Sequence, residues 1–73
     1  MDQAAIQSAI RIFLREMSKR LTEAAGVARA ADACAESGNT DKGVEVALDI
    51  EQLVYEASRL LDAASLLKRI AQS

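Results

Sequence analysis

Turn-forming residues gather at one place in this chain, ESGNTDKG at residues 36–43, and no proline occurs anywhere. On either side run long segments in which apolar residues recur in steps of three and four. A helix of 3.6 residues per turn brings those spacings to one side. The chain is therefore predicted to be all-α, a two-helix antiparallel hairpin. Helix 1 is expected over about 3–36, the turn over about 37–40 and helix 2 over about 41–71, one helical-hairpin domain spanning 1–73. Gly38 can take the left-handed conformation that ends a helix. Asn39, Thr40 or Asp41 can cap the next helix, and Asp2 the first.

The stripes are heptad-like, as in a coiled coil. Helix 1 carries Ile10, Leu14, Met17, Leu21, Ala24, Ala28, Ala31 and Ala35, widened by Ile6, Phe13, Val27 and Cys34. Helix 2 carries Val46, Ile50, Leu53, Ala57, Leu60, Ala64, Leu67 and Ala71, widened by Ala47, Val54 and Leu61. Folding the hairpin sets Ala28 opposite Ile50 and Ala24 opposite Leu53 and Val54. It sets Leu21 opposite Ala57, and Leu14 opposite Ala64. Large is expected to meet small in most layers, which fills a core without voids. The small-residue stretch AAGVARAADACA, residues 24–35, would let helix 2 come close. Gly26 lies off that stripe and costs about 1 kcal/mol relative to Ala in mid-helix, so close packing of a second chain there is one reading of it.

A chain of 73 residues sits near the lower limit for folding alone. Such domains usually add disulfides, a metal or oligomerisation. One cysteine, Cys34, excludes a disulfide within the chain, and the absence of His removes the commonest metal ligand. Oligomerisation remains. Both stripes are also too wide for a two-helix interior to cover Phe13, Val54, Leu61, Leu66 and Ile70 as well as the central layers, and an apolar patch of that kind marks an interface. The lone cysteine and a first segment without signal-peptide character point to a cytoplasmic setting. No apolar run approaches the ~20 residues that span a bilayer.

The charges separate along the rod. The open end holds seven basic residues (Arg11, Arg15, Lys19, Arg20, Arg59, Lys68, Arg69) against Asp2, Glu16 and Asp62, a balance of +4. The turn end holds eight acidic residues (Glu23, Asp32, Glu36, Asp41, Glu45, Asp49, Glu51, Glu56) against Arg29 and Lys42, a balance of −6. Two rods side by side in opposite directions bring unlike ends together. The hairpin is thus expected to dimerise into an antiparallel four-helix bundle with two-fold symmetry. Exposed ion pairs contribute only about 0–1 kcal/mol each, so they select orientation more than they stabilise.

Catalysis finds little support. Without His there is no Ser-His-Asp or Cys-His arrangement, and SGNTDKG lacks phosphate-loop spacing. Glu45, Asp49, Gln52, Glu56 and Arg59 share a helix face but lack the Glu-x-x-His partners of a bundle metal site, and read as a solvated face. No cofactor is expected. Val44, Leu48 and Tyr55 form a second, outer stripe that could be a partner-binding ridge. Arg11, Arg15 and Lys19 form a basic stripe, the one candidate nucleic-acid patch. A sequence pI near 5 and the lack of stacking aromatics argue against nucleic acid.

The expected function is therefore a small, non-catalytic protein-protein interaction module. It would self-associate as a homodimer through Ile10, Phe13, Leu14, Met17, Ile50, Val54, Leu61 and Leu67. In size and architecture it resembles Rop-like plasmid copy-number regulators, dimers of helical hairpins that bind paired RNA loops. It is similar in the same way to the helical-hairpin chaperones of bacterial secretion systems, which bind a partner protein's helix through an apolar face. These likenesses imply two other functions, a nucleic-acid-binding regulator and a chaperone or adaptor. No residue role is carried over from either.

Overall fold

A computed structural model describes residues 2–72, and those residues form an antiparallel helical hairpin. Helix α1 runs Gln3–Glu36, α2 Thr40–Ala47 and α3 Asp49–Ala71. Asp2 caps α1, its carboxylate accepting from the Ala4 N–H at 3.0 Å. At the other end Gly38 has φ 95°, the left-handed conformation. There the Asn39 N–H donates to the Cys34 carbonyl, and the Gly38 N–H to the Ala35 carbonyl. This pair of bonds is a Schellman motif, which satisfies carbonyls that the helix end leaves free. Asn39 then begins α2, its side chain accepting from the Lys42 N–H at 3.1 Å. One residue thus closes one helix and caps the next, which is why the turn is so short.

The second limb is not the single helix expected over 41–71. It begins at Thr40 and is interrupted at Leu48. The Leu48 N–H still donates to the Val44 carbonyl, but its own carbonyl accepts from Glu51 N–H at 3.2 Å, three residues on. That bond is the tighter 3₁₀ spacing. No glycine or proline stands at the break, so the local sequence carries no sign of it.

The seam between the limbs is built from small residues. The buried hydrophobic residues described are Ile6, Ala24, Ala31, Ala57 and Ala64. Gly43, also buried, sits directly against α1. A Cβ there would stand 2.8 Å from the Ala31 carbonyl oxygen and 3.5 Å from the Ala35 Cβ. This corrects the expected layering. Leu14, Leu21 and Ala28 do not lie inside the hairpin but are exposed. Backbones that approach through Gly and Ala leave no room for Leu between them, so the leucines turn outward onto one face.

The result is a rod of 55 × 13 × 12 Å. Its radius of gyration is 16.7 Å, where a compact domain of this length has about 11 Å. No helix among the described residues is long and apolar enough to cross a membrane.

Candidate self-association face

Three contacts set the register of the two limbs. The Gln3 side-chain amide donates to the Ala71 carbonyl at 3.0 Å. Arg20 Nε meets Glu56 Oε1 at 3.1 Å. Gly43 sits against Ala31. Leu21 is therefore level with Val54, Leu14 with Leu61, and Ala28 with Ala47.

Each helical residue turns about 100° from the last, so the seam leaves two flanks. One flank is polar at mid-rod. Glu16 accepts from Lys19 Nζ at 3.0 Å and from Arg20 Nη1 at 3.2 Å. Arg20 also bridges the seam to Glu56, whose second oxygen accepts from the Gln52 amide at 3.2 Å. The hydrogen bond from Lys19, then that from Arg20, holds the Glu16 carboxyl below its ordinary range. The bond to Glu16 raises the Arg20 guanidinium further above its own. An open groove of about 400 Å³ on this flank is lined by Glu23, Val27, Leu48, Asp49, Gln52, Leu53 and Glu56.

The other flank is apolar. Ile10, Leu14, Leu61, Ala64, Ser65 and Lys68 line a groove of about 320 Å³. Heptad steps carry the same face to Leu21 and Ala28 on α1, and to Val54 and Ala47 on the second limb. Leu14, Leu21, Val54 and Leu61 are 42%, 45%, 45% and 52% exposed. Between Arg11 and Arg29 on α1, and between Ala47 and Lys68 opposite, the middle of this face holds Leu, Met, Ile, Val, Ala and Ser. Depletion of charge of this kind is what distinguishes the core of an interface from ordinary surface.

Of the eight association residues, six lie toward this face. Leu14, Val54 and Leu61 are exposed on it, and Ile10, Met17 and Ile50 are half-buried along its inner edge. Phe13 is half-buried at the seam itself, and Leu67 turns toward the opposite flank. The ridge residues Val44, Leu48 and Tyr55 are exposed on the outer side of the second limb. Arg11 and Arg15 are exposed, whereas Lys19 is paired with Glu16. Sequence reasoning left Leu21 out of the association set, although its heptad position between Leu14 and Ala28 marks it. It also passed over Gly43, whose only sequence signal is a glycine in the first turn of a helix. Ile12, 56% exposed near the open end, stood outside both stripes.

No protein-family model, curated protein or solved structure matches this chain.

Proposed function

We propose that this chain is a non-catalytic interaction module. Its hairpin pairs with a second copy through the apolar flank, forming an antiparallel four-helix bundle. The observation that carries this reading is a surface too large for the chain. Its accessible area is 5262 Å², where a folded monomer of 7.8 kDa has about 4400 Å². The excess is about 900 Å², close to the ~800 Å² each partner buries in a standard interface. Among the described residues, ten large hydrophobic side chains are exposed, against one, Ile6, fully buried. Four of the ten lie together on the apolar flank.

Light scattering at low and high salt tests it. A dimer mass is expected at both, because apolar burial supplies most of the association and is not screened. Leu14→Asp is expected to reduce the mass to that of one chain, since the bundle would bury a charge without a partner. A wild-type chain that stays monomeric overturns the proposal and makes another protein's helix the occupant of that flank. A Leu14→Asp variant that keeps the dimer mass moves the interface elsewhere.

A further inference from the structure

We infer that the two copies meet in one register, related by a two-fold axis at the level of Leu21 and Val54. This rests on the self-association proposed above and specifies its geometry. The Leu21/Val54 level lies within about two residues of the middle of each limb, so rods related there overlap almost completely. A two-fold axis perpendicular to the rods lays α1 antiparallel on the other copy's α1, and α3 antiparallel on its α3. Leu21 then faces its own counterpart, and Val54 does likewise.

The size pattern selects this arrangement. One heptad toward the open end the face carries Leu14 and Leu61. One heptad toward the turn it carries Ala28 and Ala47. The two-fold superposes these levels, so each layer of four holds two leucines and two alanines. Turn ends side by side would instead stack four leucines in one layer and four alanines in the other, overpacking the first and leaving the second hollow. Charge selects it independently. The antiparallel register sets the +4 open end of each rod beside the −6 turn end of the other, and places Arg11 near Asp32 of the second copy. The parallel one sets acid against acid.

Thiol cross-linking tests the register, in a Cys34→Ala background that removes the native thiol. With a short bismaleimide, Leu21→Cys alone is expected to give a covalent dimer. Leu14→Cys and Ala28→Cys are each expected to give little alone and a cross-linked pair when mixed. A size swap supplies a second reading. Ala28→Leu should raise the dimer dissociation constant roughly ten- to a hundredfold through overpacking, and Leu14→Ala combined with it should restore most of the affinity. Light scattering on the same samples separates the two ideas. If wild type is dimeric but Leu14→Cys links to Leu61→Cys and Leu21→Cys does not self-link, the register is overturned and self-association stands. If wild type is monomeric, both fall.

Discussion

Gly43 and Gly26 are both helical glycines, yet their surroundings give opposite expectations. A methyl group at Gly43 meets a backbone oxygen at 2.8 Å, and a carbonyl in a helix cannot swing aside. Ala has a helix propensity better by about 1 kcal/mol, but overpacking costs about 1–3 kcal/mol. Gly43→Ala is therefore expected to lower stability, read as a fall in the urea midpoint. At Gly26 the nearest atom is the far end of the Arg29 side chain, 3.9 Å away. Gly26→Ala is expected to raise stability by about 1 kcal/mol on propensity alone. A loss there would mean that a second copy packs against Gly26, the reading its place in the small-residue stretch first prompted. The Ala-rich run was legible as a site of close approach, but the glycine that packs against its Ala31 carbonyl lies on the other limb.

At the scale of the element, each helix end has its own chemistry. Asn39 accepts from the N–H of Lys42, and its loss in Asn39→Ala is expected to cost about 1 kcal/mol. Helix α3 has no side-chain cap and continues from α2 across Leu48. The effect should therefore reach the whole second limb, as faster amide exchange across α2 and into α3. Acid provides another test. Glu16 titrates below its ordinary value of 4.5 because Lys19 and Arg20 hold its charged form. A lowered native value contributes stability that is complete above the unfolded-state value and is lost as pH falls through the native one. Between about pH 6 and about pH 3, Glu16→Gln should thus lose less melting temperature than wild type. Equal losses would show that the cluster adds nothing to the fold. Asn39 and Gly38 were readable as punctuation because turn chemistry is local. The break at Leu48 was not, since Ala47, Leu48 and Asp49 offer no helix breaker.

Taken whole, the hairpin is a rod with an alanine seam, and its bulky apolar residues lie outside that seam. If folding is coupled to pairing, melting temperature should rise with concentration, by about 5 °C per tenfold for a bundle of two such chains. A melting temperature independent of concentration would mean that the hairpin holds itself together. The charge separation acts at the same scale. It should show as a faster association rate at low salt with little change in the dissociation rate.

Periodicity and punctuation determined the helices, their antiparallel course and the site of the turn, because hydrogen bonds and caps within a few residues decide those things. They also marked a stripe wide enough to serve two contacts. Which part of it closes the hairpin was decided only by the tertiary structure. Ridges can mesh in several rotations about a helix axis, and the rotation adopted is the one that brings Gly43 and four alanines into the seam. That choice turned Leu14, Leu21, Val54 and Leu61 onto one apolar flank. Side-chain volume along the seam set it, and volume across two distant segments is a property of the packed pair that neither segment carries alone.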